Sequence, residues 1–438
     1  MAQVPRHPVA PTREMALLRQ RPRPRRPWRQ GRGGRGLGGL CLALLCLWAL
    51  RSGGAGGQAP LQQPGVAFAV SVKQLVPPLG SLLLGFALYA LRGASVAAET
   101  SAILLIYFGS QTGMSLYMKT VLSRIMVDEE DDLKGIPIGF LLTAIQQFVA
   151  LATFCCFLLV GRFISGGYQV KKLTTTREYF AVLCFSMTFA LNVGLNNFSL
   201  SLVAISINLI IRSCLPLSTA VAQITVGAAM GSQKKLIPPV EWLLMLLGVA
   251  CAALATYAKS MSEHSTEEST GLVLGVVCCV ASICSGALNM VLAGVLGSEM
   301  KLNPLDTTCY MALPAGLVLL VPALLVSHPV SKWPGFSSMT DFQVLAEVLD
   351  RNPWALTPVF FSGVLAFAYN ILQYTLVHKL SATYASFAGN FNKAATVALS
   401  LALGMESLPA GGYGQLFVLA VLGNIASFTV YNKLKARK

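Results

Sequence analysis

The stretch GLVLGVVCCVASICSGALNMVLAGVL, residues 271–296, runs for 26 positions without a charged side chain. An α-helix rises about 1.5 Å per residue, so about 20 apolar residues cross the roughly 30 Å hydrocarbon core of a bilayer. Similar apolar runs recur from Ser101 to Tyr431. Only 12% of the 438 residues are charged and 54% are hydrophobic, whereas a soluble domain carries about 25% charged residues. The sequence therefore predicts an all-α membrane protein.

Polar linkers, all short except the 28-residue segment 328–355, divide these runs into ten predicted transmembrane helices, numbered here as spans 1 to 10. Lys and Arg concentrate in the cytoplasmic loops of membrane proteins. If both ends of the ten-span unit are cytoplasmic, the cytoplasmic loops and the C-terminal tail hold twelve Lys and Arg residues, and the opposite loops hold five. This alternation supports the count of ten. The predicted ranges are 101–122, 136–160, 179–198, 203–230, 241–258, 271–296, 305–327, 356–374, 381–403 and 414–431.

The first 98 residues differ in composition from the rest. Residues 6–35 are rich in Arg, Pro and Gly and poor in acids, a composition that cannot bury a hydrophobic core. The apolar run 37–50 is short for a span and has the length of a signal-peptide core. A second short run, 79–91, follows Pro77-Pro78. We interpret residues 1–98 as a largely disordered targeting segment outside the fold; an extra span and a disordered cytosolic tail are the alternatives.

The net charge of +15 does not indicate nucleic-acid binding. Residues 1–98 hold twelve Arg and one Lys against the single acid Glu14, and a nucleic-acid binder needs a basic face on a folded, water-exposed domain. The eleven Cys are scattered, there is no Cys-x-x-Cys pair, and the chain has four His. A Cys inside an apolar run behaves as a small hydrophobe. We therefore expect no metal site, no disulfide framework and no cofactor.

Three basic residues lie inside predicted spans: Lys119, Arg212 and Lys393. A charge at the bilayer centre costs at least about 2.5–3.5 kcal/mol, so such residues usually face a cavity and carry function. By helical rise, Arg212 lies about 13 Å into span 4 and Lys393 about 18 Å into span 9, whereas Lys119 is near the end of span 1 and can extend to water. No acidic residue lies at comparable depth in any span. A structural ion pair therefore lacks its partner, which favours a ligand anion at Arg212 and Lys393.

The two deep cations occupy matching positions in the two halves of the chain. A shift of 181 residues lays 203–212 over 384–393, so that Arg212 falls on Lys393. Five spans in each half, 99–260 and 270–432, mean that the second half enters the membrane from the opposite side. Residues 99–435 are therefore predicted to form ten transmembrane helices as a 5+5 inverted repeat. Transporters of this design bind substrate near the midplane, between the halves.

Two cations without a fixed counter-charge suit a substrate with about two negative charges, such as a phosphate ester or a nucleoside diphosphate. Arg offers a bidentate fork to a phosphate, and Lys offers a compact point charge. Other polar residues at this depth are candidates to bind the rest of the substrate, although interhelical hydrogen bonding is the alternative for each Asn and Gln. These candidates are Asn192, Asn196, Tyr369, Asn370, Gln373, Asn390 and Asn392.

Three motifs carry a resemblance to a known family. They are 112–119 (TGMSLYMK), 204–212 (AISINLIIR, followed by Pro216) and 380–393 (LSATYASFAGNFNK). At these residues the chain resembles the drug/metabolite transporter superfamily, in its nucleotide-sugar and triose-phosphate translocator branch. In that branch a basic residue of the fourth helix and one of the ninth bind the substrate's phosphates. The resemblance implies these roles for Arg212 and Lys393.

The departures from the family pattern bear on the substrate. Triose-phosphate translocators have Lys followed by Arg in the ninth helix, whereas Ala394 follows Lys393 here, which argues against a small, highly charged sugar phosphate. The run 389–393 is similar to the Gly-x-x-Asn motif of GDP-mannose transporters, and 210–213 is similar to UDP-N-acetylglucosamine transporters. We expect an antiporter in a Golgi or ER membrane that exchanges a nucleotide sugar for a nucleoside monophosphate; a plastid-envelope sugar-phosphate/phosphate antiporter is the alternative.

An enzyme is not expected. A membrane-embedded transferase should show paired intramembrane carboxylates or an Asp-rich metal motif, and the one acidic cluster, 128–132, falls in a predicted loop. The expected partners are a small anionic substrate and the lipid bilayer, with no nucleic acid, and a homodimer is compatible with the sequence.

Overall fold

The computed structural model of the chain describes residues 72–93, 95–123, 125–163, 168–202, 208, 211–230, 237–260, 272–330, 333, 335–402, 408–409 and 411–436. The predicted leader up to residue 71 lies outside these residues, as do the segments 231–236 and 261–271 and most of span 4 ahead of Arg212.

The described residues form twelve α-helices and two short antiparallel hairpins. Ten of these helices coincide with predicted spans. In chain order, spans 1 to 3 correspond to α2, α3 and α4, the second half of span 4 to α5, spans 5 to 7 to α6, α7 and α8, and spans 8 to 10 to α10, α11 and α12, with the following ranges. The helices are α1 (Val72–Leu91), α2 (Val96–Ser123), α3 (Gly139–Phe163), α4 (Thr176–Leu202), α5 (Leu215–Ala229), α6 (Pro239–Ser260), α7 (Leu272–Ser298), α8 (Pro304–Leu325), α9 (Asp341–Arg351), α10 (Thr357–Lys379), α11 (Ala382–Ala402) and α12 (Gly412–Ala436).

Six helices in the described part of the chain are long and apolar enough to cross a membrane: Gly139–Phe163, Thr176–Ser199, Val273–Ser298, Pro304–Leu325, Pro353–Lys379 and Gly412–Tyr431. Their length and composition make the chain a predominantly helical, multi-pass membrane protein, as its sequence predicted. The count of ten spans and the 5+5 inverted repeat stay predictions.

Residues 72–91, which the sequence placed in the leader, form α1 and pack against α2. The Ser81 hydroxyl donates to the carbonyl oxygen of Leu105 at 2.7 Å. At Gly109 a Cβ atom would lie 2.7 Å from the carbonyl oxygen of Pro78, so the two helices approach as closely as they do because this position has no side chain. The part of the leader that the structure describes therefore forms a helix packed against α2, at the apolar run that the sequence marked within the leader.

Span 4 was predicted as one continuous helix, and this expectation is wrong near its centre. The helical backbone at Arg212 gives way to a turn at Ser213 and Cys214, and α5 begins at Leu215. Pro216 explains the interruption, because it has no N–H to donate to the carbonyl four residues earlier and its ring clashes with that carbonyl. Pro is well accommodated in the first turn of a new helix. The break therefore lies directly beside Arg212.

Most of the packing joins the two predicted halves. Helix α4 packs against α7 and α8, and α3 packs against α8 and α10. Helix α5 packs against α7 and α11, α2 against α10 and α11, and α6 against α12. The interior of the described bundle therefore lies between the halves, and polar groups at this interface are withdrawn from lipid.

A structured cap covers one end of the bundle. We use this name for the described residues of 125–138 and 326–356, which contain the hairpins β1–β2 (Met126–Asp128, Leu133–Lys134) and β3–β4 (Ser327–Pro329, Ser338–Thr340) and helix α9. The buried indole of Trp333 donates to the carbonyl oxygen of Gly135 at 3.1 Å. The cap thus ties the segment between spans 1 and 2 to the segment between spans 7 and 8.

Candidate functional site

Arg212 is partly buried where α4, α7 and the break in span 4 meet. Its Nη1 atom donates to the hydroxyl of Ser282 on α7 at 3.3 Å. That hydroxyl in turn donates to the backbone carbonyl of Asn192 on α4 at 2.7 Å, and the Asn192 side-chain oxygen lies 3.2 Å from it. The structure therefore brings two predicted site residues, Arg212 and Asn192, to the same buried serine.

Asn390 reaches the break from the second half of the chain. Its side chain is buried on α11, and Nδ2 donates to the carbonyl oxygen of Ser213 at 2.8 Å. Ser213 directly follows Arg212, so Asn390 lies beside the predicted phosphate-binding arginine. The same contact provides a partner for a carbonyl at an irregular point of the backbone, where unsatisfied groups are costly in a membrane.

Asn392 joins α11 to α2. Its Nδ2 donates to Gln111 Oε1 at 2.8 Å, and Thr112 Oγ1 lies 3.4 Å away. One turn earlier on α2, the ring of Tyr107 stacks on Tyr369 of α10 with centroids 6.0 Å apart and planes inclined by 17°. The Tyr107–Tyr369 stack therefore joins α10 to α2 one turn from the contact between Asn392 and Gln111.

The remaining candidate amides are Asn196, Asn370 and Gln373, and the structure shows no contact between them and Arg212 within the described residues. Asn196 accepts from Asn208 at 3.3 Å, and Asn208 also lies 3.3 Å from the hydroxyl of Ser199. Gln373 Nε2 contacts the sulfur of Met290 at 3.2 Å, a weak acceptor. Asn370 is 5% exposed, and we find no hydrogen bond for its amide within the described residues.

Lys393 and Lys119 are placed only by their helices. Lys393 follows Asn392 on α11, in the helix that supplies Asn390 and Asn392, and Lys119 lies in the last turns of α2. Their side chains fall outside the described part of the structure. The juxtaposition of Lys393 with Arg212 therefore stays a prediction, supported by the position of α11 against α5.

Within the residues that the structure describes, no carboxylate forms an ion pair with Arg212. The ion pairs among the described side chains all involve other residues, in loops or at helix ends. The described hydrogen-bond partner of Arg212 is the hydroxyl of Ser282. A cation in such surroundings keeps its charge available for an anion, which agrees with the reason for predicting a ligand at this residue.

Sequence reasoning missed four residues of this cluster: Tyr107, Gln111, Asn208 and Ser282. Each is an uncharged polar or aromatic residue inside an apolar run. Such a residue costs less to insert into the membrane than a charged one, so its presence in the run does not indicate a functional role. Asn208 lies within the family-like motif 204–212, and Gln111 directly precedes the motif 112–119. Proximity to those motifs is the signal that could have found them.

Comparison with known proteins yields transporters of phosphorylated sugars. Two probable sugar phosphate/phosphate translocators of Arabidopsis thaliana are similar to the chain: one is 27% identical over 239 residues, 53% of this chain and 67% of the relative, and the other is 23% identical over 304 residues, 69% of this chain and 73% of the relative. UDP-galactose transporter 1 of the same plant is 26% identical over 216 residues, 49% of this chain and 56% of the relative. No protein-family model matches the chain.

These relatives agree with the motifs around Lys119, Arg212 and Lys393, which predicted the same group of proteins from the sequence. They are transporters and not enzymes. The chain is therefore similar to sugar phosphate/phosphate translocators and to a UDP-galactose transporter, which is consistent with the resemblance to the nucleotide-sugar and triose-phosphate translocator branch of the drug/metabolite transporter superfamily.

Proposed function

We propose that the chain is an antiporter that exchanges a nucleotide sugar for a nucleoside monophosphate by alternating access. The observation that carries the proposal is the position of Arg212, a cation at a helix break between the two halves, among described neighbours that do not neutralise it. An anionic substrate would supply the missing charge. In this proposal Asn390 and Tyr369 of the second half bind the same molecule as Arg212, and the hydrogen bond from Asn390 to the carbonyl oxygen of Ser213 supports that role for Asn390.

The proposal includes ten spans arranged as an inverted repeat, and the packing pattern supports it. The repeat pairs α2 with α7, α3 with α8, α4 with α10, α5 with α11, and α6 with α12. In an inverted repeat, each contact between two helices should recur between their two repeat partners. The α4–α7 contact recurs as α10–α2, the α3–α10 contact as α8–α4, and the α5–α7 contact as α11–α2. The α3–α8, α5–α11 and α6–α12 contacts, which also occur, each join a helix to its own repeat partner.

The same site would bind the phosphates of either substrate class. In this proposal Arg212 and Lys393 hold the phosphates, and the amides and aromatic rings around them bind the rest of the molecule. Ala394, in place of a second basic residue after Lys393, favours the larger and less densely charged nucleotide sugar. The chain carries only one cation at this point of span 9.

A specific observation favours a second candidate, a sugar-phosphate/phosphate antiporter. Two relatives are named as probable translocators of that kind, against one named as a UDP-galactose transporter. The first candidate would operate in a Golgi or ER membrane and the second in a plastid envelope, where the Arg-rich leader would act in targeting.

Exchange in liposomes separates the candidates. The purified full-length protein is reconstituted and tested against UDP-galactose, UDP-N-acetylglucosamine and GDP-mannose with UMP or GMP inside, and against triose phosphate and glucose 6-phosphate with inorganic phosphate inside. We expect exchange of at least one nucleotide sugar and none in Arg212→Gln, with Arg351→Gln in the cap as the matched control. Exchange of sugar phosphates alone supports the second candidate, and no exchange of any compound refutes both.

A further inference from the structure

Ser282 is the described residue that touches the Arg212 guanidinium. It is fully buried in the middle of α7, and a serine at such a position usually bonds to its own helix. Here the hydroxyl instead donates across to the Asn192 carbonyl of α4 at 2.7 Å. With its proton used in this way, the oxygen presents its lone pairs to Arg212 Nη1, which lies 3.3 Å away.

The surroundings of Ser282 are shaped to hold this arrangement. Gly286 lies one turn further along the same face of α7. A Cβ atom at Gly286 would lie 2.7 Å from the Asn192 side-chain oxygen, so the absence of a side chain there lets Asn192 approach α7. Asn192 thereby reaches Ser282 with both its backbone carbonyl and its side-chain oxygen.

The chemistry of this contact differs from that of an ion pair. A neutral hydroxyl fixes one of the five N–H donors of Arg212 and leaves the positive charge and the remaining donors for an anion. A carboxylate in the same place would neutralise the guanidinium and compete with the substrate. The contact also joins the halves, because Ser282 belongs to the second half and Arg212 to the first.

We propose that Ser282 is a positioning residue that orients the Arg212 guanidinium for the substrate anion. This inference rests on the proposed function. It assigns to span 6 a role that neither the motifs nor the sequence repeat indicated. The contribution of Ser282 is made through Arg212 and not by contact with the substrate.

The test compares Ser282→Ala and Ser282→Cys in the reconstituted full-length protein, with exchange of UMP, GMP and inorganic phosphate as probes. Cys has the same branching as Ser with a somewhat larger sulfur atom, and its thiol is a weak hydrogen-bond acceptor. We expect KM to rise about fivefold to tenfold in both variants, as befits one long hydrogen bond to a charged group, with the maximal rate within about twofold of wild type. Ser186→Ala is the matched control, since Ser186 is equally buried but bonds to Val182 of its own helix.

A double-mutant comparison distinguishes positioning from a structural role. In an Arg212→Lys background the Nη1 donor is gone, so Ser282→Ala should change KM little further. An unchanged KM in Ser282→Cys or Ser282→Ala would overturn the inference and leave the proposed function intact. An equal rise in KM in both backgrounds would also overturn it. If the wild-type protein exchanges none of the three probes or the panel compounds, the proposed function fails and this inference fails with it.

Discussion

Two arginines of this chain are held in opposite ways. Arg351, at the end of α9 in the cap, pairs with Asp128 at 2.6 Å, with Asp131, and with Glu347 at 3.3 Å. Arg212, in the bundle interior, donates to the hydroxyl of Ser282. The cap neutralises its cation with three carboxylates, although Arg351 lies near water, where such pairs contribute little.

The difference indicates what each region does. A buried charge is costly unless it is paired. An arginine without a paired acid in the bundle interior therefore does not contribute to stability. In the cap, by contrast, three carboxylates pair with the arginine Arg351. Under the proposed function, the counter-charge of Arg212 arrives with the substrate, whereas the cap connects two loops through ion pairs of its own.

The largest effect is expected at Arg212. Arg212→Gln should abolish exchange while the protein still folds, and folding should be unharmed because a buried charge is removed. Arg212→Lys should recover part of the activity, since the charge stays but the bidentate fork is lost. Exchange in liposomes at matched protein density measures both. If Arg212→Gln unfolds the protein, as breaking a buried ion pair would, the contrast with Arg351 is lost.

The next effect is on stability and lies in the cap. Asp341 is fully buried; it accepts from the backbone N–H of Leu141 at 2.7 Å and contacts His328 at 2.7 Å. Asp341→Asn should lower the free energy of unfolding by about 3 kcal/mol, because it removes one partner of a buried pair. Thermal unfolding in detergent measures the change. A melting temperature equal to that of wild type would show that the cap is not held by this carboxylate.

A smaller effect should appear with pH. Burial opposes the charge on His328, but the hydrogen bond and the charge of Asp341 outweigh it and raise the pKa of His328 above its ordinary value. A raised pKa in the folded state means that the pair stabilises the cap below the ordinary pKa of histidine, and that this contribution is lost as the pH rises through the raised value. The melting temperature should therefore fall as the pH rises above the ordinary pKa of histidine and through the raised pKa of His328. His328→Gln should remove most of this dependence, and an undiminished slope in that variant would contradict the assignment.

The smallest effect on transport is expected at Lys119. It lies in the last turns of α2, from which a lysine side chain can reach water. Lys119→Gln should therefore keep most of the exchange activity under conditions in which Arg212→Gln has none. A loss as complete as that of Arg212→Gln would place Lys119 in the phosphate site with the other two cations.

The sequence predicted the membrane class and the approximate positions of the long apolar helices, and it named Asn192 and Asn390, which contact Ser282 and Ser213 beside Arg212. The sequence-based predictions failed where a feature depends on a local break in a helix or on tertiary packing. Pro216 was visible, but an apolar run reads the same whether or not the helix breaks inside it. The apolar run 79–91 was assigned to the leader because its packing against α2 is a tertiary feature that the run itself does not indicate. Ser282 and Gln111 were missed because the hydrogen-bond partner of a hydroxyl or an amide is set by the tertiary fold and not by the neighbouring sequence.

The central claim is that one cation from each half binds the phosphate of the substrate, and Lys393 tests it most directly. The measurement is exchange by Lys393→Gln in liposomes, at protein density and melting temperature matched to wild type, with Arg351→Gln as the control. We predict that Lys393→Gln loses exchange as completely as Arg212→Gln, whereas Arg351→Gln retains it. Near-normal exchange by Lys393→Gln would contradict the claim, because the second half would then contribute no charge to the site.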